Sequence, residues 1–184
     1  MTWNLPNAIT LIRIAVIPIF LFFLLSGTIQ GGEVIALAIF TLAALSDAVD
    51  GWLARNRGQV TDFGKFADPI ADKLLVMAAL LVFVGFGEIS PVWIVIILTR
   101  EMLVMGLRIW AIAQDMVISA SVLGKLKTLS HIGLVIVLIG NHHWEWGALG
   151  EDVKLAFIVL AVGLALASGF EYFYKSRNLF RPAS

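Results

Sequence analysis

The chain has 184 residues, of which 60% are hydrophobic and only 14% charged, and its mean hydropathy is +0.94. Soluble domains run at about 45–50% apolar and about 25% charged, so the composition excludes an ordinary soluble enzyme and points to a protein that crosses a membrane repeatedly. Thirteen basic and thirteen acidic residues cancel, so bulk charge gives no reason to expect nucleic-acid binding. The absence of cysteine removes disulfides, thiolate nucleophiles and cysteine metal sites.

A membrane-spanning helix needs about 20 mostly apolar residues. Six segments meet that requirement: 8–26, 33–54, 66–87, 91–113, 124–141 and 153–174. Arg13 interrupts the first, and no small-residue cleavage site follows it, so it reads as a retained span rather than a signal peptide. Turn chemistry separates the segments at Ser26 and Gly27, Gly31 and Gly32, Asn56 to Gly58, Gly85 to Pro91, and Gly140 and Asn141. No internal repeat or soluble insertion is visible. The expectation is an all-α membrane protein, a six-transmembrane-helix bundle forming a single integral domain over 1–184.

Basic residues near span ends set the orientation. Arg55, Arg57 and Lys65 flank the second connection, Lys125 and Lys127 the fourth, and Lys175, Arg177 and Arg181 occupy the tail. The other connections hold only Lys154, beside Glu145, Glu151 and Asp152. Both termini are therefore expected in the cytoplasm. His142, His143, Trp144 and Trp146 fall on the opposite side, and adjacent loop histidines lack the spacing of a zinc site.

Between the second and third segments the sequence reads DAVDGWLARNRGQVTDFGKFADPIADK from residue 47. On a helix Asp47 and Asp50 share a face with Gly51 and Ala54, and on the next helix Gly64, Asp68 and Asp72 form a second stripe. An antiparallel hairpin through Asn56 to Gly58 brings both stripes to one cavity. Four carboxylates cannot all stay ionised in a low-dielectric place without compensation, and each charge there costs at least about 2.5 kcal/mol at a helix centre. Arg55, Lys65 and Lys73 neutralise part of such a cluster. Hard divalent cations suit it better, because Mg²⁺ takes carboxylate and phosphate oxygens, and two such ions form a clamp for displacement at phosphorus. Glycines at 51 and 64 leave space for a ligand against the backbone. A structural ion-pair network and an ion pathway remain open on spacing alone.

The full pattern, Asp47-x2-Asp50-Gly51-x2-Ala54-Arg55-x8-Gly64-x3-Asp68-x3-Asp72, matches at every defined position the motif of the CDP-alcohol phosphatidyltransferase family. The six-span layout also resembles that family over nearly the whole chain. The resemblance implies transfer of a phosphatidyl group from CDP-diacylglycerol to an alcohol, with release of CMP. It implies that Asp47, Asp50, Asp68 and Asp72 hold two divalent cations, Mg²⁺ or Mn²⁺, and that Asp72 is also a candidate catalytic base. Gly51, Ala54, Arg55, Thr61 and Gly64 match nucleotide-binding positions. Pro6-Asn7-x2-Thr10-x2-Arg13 resembles a family pattern near the nucleotide, so Asn7 and Thr10 join that set, although Asn7 reads equally well as a helix cap. The same resemblance implies a homodimer, and the orientation set by the basic residues puts the motif, and so the active site, on the cytoplasmic side of the cell (inner) membrane.

The alcohol must be read from elsewhere. TREMLVMGLR places Arg100, Glu101 and Arg108 in an otherwise apolar span, and GKLKT adds Lys125 and Lys127. Intramembrane arginines usually face a cavity with an anionic partner. Arg100 and Arg108 are expected on one face two turns apart, and with the two lysines they suit an acceptor bearing a phosphate. Two blander readings stand beside this one: Arg100 pairs with Glu101 or with an aspartate of the cluster, and the lysines serve as positive-inside anchors. REMLVMGLR, GKLKT and the tail FEYFYKSRNLF resemble segments of the family branch that makes phosphatidylglycerophosphate, which favours sn-glycerol 3-phosphate over an inositol phosphate. A membrane prenyltransferase would want two separate acidic motifs. An ion transporter would place its carboxylates near the bilayer midplane. His131 in the fifth segment reads as a packed histidine.

Overall fold

A computed structural model describes residues 5–57, 62–114, 116 and 121–177; for residues 5–10, 47–57, 62–69 and 72 it describes the backbone alone. Among the described residues the secondary structure is all helical. The helices are α1 (Leu5–Leu25), α2 (Gly32–Arg57), α3 (Asp62–Gly85), α4 (Pro91–Ala113), α5 (Val122–Trp144) and α6 (Gly147–Lys175). At 1.5 Å per residue each is about 30 Å long or more. All six expected segments are present as helices. Two, α5 and α6, are long and apolar enough throughout to cross a membrane. The apolar parts of α1, α2 and α3 are shorter, at Leu11–Leu25, Gly32–Ser46 and Lys73–Gly85. α4 carries Arg100, Glu101 and Arg108 within its length.

The ends of the helices follow local chemistry. Between α1 and α2, Gly31 takes a left-handed φ of 74°. A Cβ on Gly32 would stand 2.7 Å from the Phe23 carbonyl, so this tight turn needs two glycines. α4 starts on Ser90, whose Oγ accepts from the Val92 backbone N at 3.4 Å, with Pro91 at the first helical position.

Two boundaries differ from the sequence expectation. α2 continues through Asn56 and Arg57, so the turn begins later than the turn residues suggest. α5 runs through Gly140, Asn141, His142 and His143 to Trp144. The reason lies in its partners: His142 Nδ1 pairs with Glu88, its ring stacks on Phe86 at 4.8 Å and 9°, and His143 Nδ1 lies 3.3 Å from Glu33. These contacts outweigh weak helix propensity at Gly140 and Asn141. They also give the two histidines separate partners.

The chain divides into two compact units. Unit 1 comprises residues 1–88 and 138–145. There α1 packs on both α2 and α3, and α2 touches α3. Its core is Phe20 and Leu24 of α1, Ala36 and Phe40 of α2, Ala71, Leu75, Leu80 and Phe83 of α3, and Leu138 and Ile139 of α5. The Phe20 and Phe40 rings lie 5.9 Å apart. Unit 2 comprises residues 89–137 and 146–184, with α4 packed on α6. Its buried stripe on α4 is Ile97, Arg100, Val104, Leu107 and Ala111, at three- and four-residue steps; facing residues on α6 are Ala165, Ser168, Gly169 and Tyr172.

Candidate active site

Unit 1 holds every position of the aspartate motif; Thr61, between its two halves, lies outside the described residues. Asp47, Asp50, Gly51, Ala54 and Arg55 fall in the last eleven residues of α2, and Gly64, Asp68 and Asp72 in the first eleven of α3. The helical backbone keeps the three- and four-residue spacings on single faces. Two helices this long, in contact and joined through four residues, can run only antiparallel. Asp47 stands ten residues before the end of α2, and Asp72 ten residues after the start of α3. Asp50 and Asp68 stand seven and six residues from those ends. At 1.5 Å per residue the outer pair lies about 15 Å along the helices and the inner pair about 10 Å. Two helices thus offer two matched levels of carboxylate-bearing positions. Asn7 and Thr10 sit in the first two turns of α1, which runs antiparallel to α2 and so starts at the same end. The side chains of all these residues lie outside those described.

Four carboxylates with no imidazole or thiolate make a hard-oxygen donor set, which fits Mg²⁺ or Mn²⁺. Among the described side chains no group of three or more His, Asp or Glu is placed to hold a metal ion.

The candidate acceptor residues lie in unit 2 and separate into two kinds. Arg100 and Lys127 are buried, at 8% and 7% exposure. Both meet the carboxylate of Glu101, itself 3% exposed: Arg100 Nη1 donates to Oε1 at 2.9 Å and Lys127 Nζ at 2.5 Å. Arg100 is held further by α6, where Nε donates to the Ala165 carbonyl at 3.1 Å and Nη2 to Ser168 Oγ at 2.8 Å. Its guanidinium lies 5.8 Å from the centre of the Tyr172 ring. Arg108 and Lys125, by contrast, are exposed. Arg100 and Arg108 therefore do not share a face. Eight residues turn an α-helix about 80° past two full turns, which carries Arg108 off the buried stripe that Arg100 shares with Val104, Leu107 and Ala111.

The pairing of Arg100 with Glu101, one of the two blander readings, is present. It uses one N–H only. A guanidinium has five N–H donors, and the three contacts of Arg100 leave one on each terminal nitrogen. Sequence reasoning missed the α6 side of this cluster. Its only trace is a stripe of small residues, Ala165, Ser168 and Gly169, at helical spacing, which reads as plain packing. His131, one turn beyond Lys127 on α5, is buried as expected; its Nε2 has no hydrogen-bond partner.

A family model described as CDP-alcohol phosphatidyltransferase matches residues 3–168. The chain belongs to the CDP-alcohol phosphatidyltransferase family. That family is membrane-embedded and works with divalent metal ions. Among its members, a protein of Bacillus subtilis (strain 168) named CDP-diacylglycerol–glycerol-3-phosphate 3-phosphatidyltransferase is 41% identical, over 99% of this chain and 100% of the relative. One of Mycobacterium tuberculosis (strain ATCC 25618 / H37Rv), named probable phosphatidylglycerophosphate synthase, is 45% identical over 92% of this chain and 79% of its own length. A Rickettsia typhi (strain ATCC VR-144 / Wilmington) member with the same name as the Bacillus protein is 35% identical over 96% and 99%.

Proposed function

We propose that this CDP-alcohol phosphatidyltransferase transfers the phosphatidyl group of CDP-diacylglycerol to sn-glycerol 3-phosphate, giving phosphatidylglycerophosphate and CMP. The observation that carries the reading is the matched register of Asp47 and Asp50 on α2 with Asp68 and Asp72 on α3. The names of the relatives support the acceptor, since those of the Bacillus and Rickettsia proteins specify glycerol 3-phosphate. Transfer to an inositol phosphate, the alternative, gains nothing from them.

In this reading Asp47, Asp50, Asp68 and Asp72 would hold two divalent cations, which when bound would supply charge neutralisation for the displacement at phosphorus. Gly51, Ala54, Gly64 and Thr61 border the CDP moiety, Arg55 meets its phosphates, and Asn7 and Thr10 add polar contacts from α1. Asp72 takes the proton from the acceptor hydroxyl as its oxygen bonds to phosphorus, and the bond from that phosphorus to CMP breaks. Arg100 and Lys127 hold the acceptor's phosphate, while Arg108 and Lys125, exposed and off that buried face, contribute positive charge only. Arg100 suits that role because its remaining N–H donors are buried and fixed in direction.

The same reading gives one integral domain over 1–184 with six spans. An even number of spans puts both termini on one side of the membrane, which the basic residues of the second and fourth connections and the tail assign to the cytoplasm. The active site then lies at the cytoplasmic side of the cell membrane, where the reacting phosphates stand while the acyl chains stay in lipid. A homodimer belongs to the proposal as well.

The test is a transfer assay with purified protein, CDP-diacylglycerol and Mg²⁺ or Mn²⁺, given glycerol 3-phosphate, inositol 1-phosphate, inositol or serine in separate reactions. The expected product is phosphatidylglycerophosphate with glycerol 3-phosphate alone, lost in Asp68→Asn. CMP release with a different acceptor would overturn the acceptor assignment; no CMP release from folded protein would overturn the enzyme.

A further inference from the structure

We propose that Ser168 and Gly169 on α6 are positioning residues for the acceptor. They set where the guanidinium of Arg100 stands, and through it how firmly the anionic alcohol is held. The inference rests on the reading of Arg100 as an acceptor ligand.

An arginine on a four-bond stem loses much rotamer freedom when it is fixed, so a guanidinium that is to meet a small anion in one orientation needs other groups to hold it. α6 supplies them on three sides. The Ala165 carbonyl takes Nε–H at 3.1 Å, and Ser168 Oγ takes Nη2–H at 2.8 Å. Ser168 is fully buried, and its own hydroxyl donates to the Leu164 carbonyl at 2.6 Å, which leaves the oxygen free to accept from Arg100. At Gly169 a Cβ would stand 3.1 Å from Arg100 Cγ and 3.6 Å from Nε. The stem of Arg100 therefore lies against the α6 backbone at the one position where a side chain would push it away. Glu101 completes the clamp at Nη1. What is left is one N–H on each terminal nitrogen, in a buried place, in directions decided by α6. None of the motif aspartates lies on α6, so acceptor binding would depend on a helix that carries no residue of the motif.

The experiment uses the full chain in detergent–lipid micelles with CDP-diacylglycerol and Mg²⁺, with glycerol 3-phosphate varied. Ser168→Ala and Gly169→Ala are compared with Arg100→Gln and with the Ser168→Ala/Arg100→Gln double variant. Arg100→Gln leaves Glu101 paired with Lys127, so the helix contacts persist. Ser168→Ala is expected to raise the KM for glycerol 3-phosphate about ten- to a hundredfold, the scale of one hydrogen bond to a charged group, and Gly169→Ala to raise it in the same direction by displacing the stem. The KM for CDP-diacylglycerol should stay within twofold of the parent. In the double variant Ser168→Ala should add nothing to Arg100→Gln, because the two act through one group.

The parent KM for glycerol 3-phosphate in both α6 variants, beside a raised KM in Arg100→Gln, would overturn the inference and leave the acceptor reading intact. A full additional factor in the double variant, or equal rises in both KM values, would also overturn it. An unchanged KM in Arg100→Gln would overturn the acceptor reading itself, and the inference with it.

Discussion

Unit 1 and unit 2 bury different things. In unit 1 the interior of α1, α2 and α3 is mainly aromatic and aliphatic, with Phe20, Phe40, Leu80 and Phe83 fully buried and the charged Arg13 of α1 buried as well, and the motif positions gather toward one end of each helix. In unit 2 the buried stripe of α4 itself contains Arg100, with Glu101 beside it, and Lys127 of α5 joins them. A charge at a helix end can reach water or a ligand without disturbing the packing behind it. A charge inside a packed stripe must be matched by named partners on neighbouring helices, or it costs several kcal/mol. The first arrangement leaves chemistry and packing nearly independent. The second makes the same residues responsible for both.

That contrast sets the order of the expected effects. The largest is in unit 1: Asp68→Asn should lower kcat by about a thousandfold or more, on the scale of lost electrostatic stabilisation of a transition state, while the thermal midpoint in detergent stays near that of the parent. A matching loss of midpoint would show that chemistry and packing are coupled there too. In unit 2 the mixture should be visible. Glu101→Gln leaves Arg100 and Lys127 without their shared carboxylate and should cost about 3 kcal/mol of stability, read as a clear fall in midpoint together with a raised KM for glycerol 3-phosphate. If stability is untouched, the buried cluster is not what holds α4 and α5 together.

Smaller effects sharpen the contrast between buried and exposed cations. Lys127→Ala should raise the KM for glycerol 3-phosphate about tenfold or more, whereas Lys125→Ala, which removes an exposed charge, should change it about threefold at most. Equal effects would mean that burial is irrelevant to acceptor binding. Tyr172→Phe removes the hydroxyl that accepts from the Ser121 backbone N at 3.3 Å and should cost about 1 kcal/mol, with little change in either KM. The smallest change is expected of His142→Asn, which loses the partly exposed pair with Glu88 and the stack on Phe86; a loss of about 0.5–1 kcal/mol in stability, with transfer unchanged, is the prediction.

The spacing along the chain was enough for the helices and for the aspartate register. Apolar runs of membrane length demand helices because lipid offers the backbone no other partner. Steps of three and four residues between Asp47 and Asp50, and between Gly64, Asp68 and Asp72, need only a helix to become faces. Local chemistry misjudged the helix ends where distant partners intervened: α5 passes through Gly140 and Asn141 because Glu88, Phe86 and Glu33 hold His142 and His143.

Unit 2 could not be read in this way. Arg100 and Arg108 look equivalent in one dimension, but the eight-residue step turns one into the packed stripe and the other out of it. That Ser168, Ala165 and Gly169 clamp Arg100 across more than sixty residues of sequence leaves no mark beyond a run of small residues. Periodicity along one helix is a local property, so the sequence by itself determined which residues share a face. Which faces meet depends on contacts between helices far apart in the chain, and only the tertiary structure decided that two cations share one carboxylate and that α6 holds the arginine.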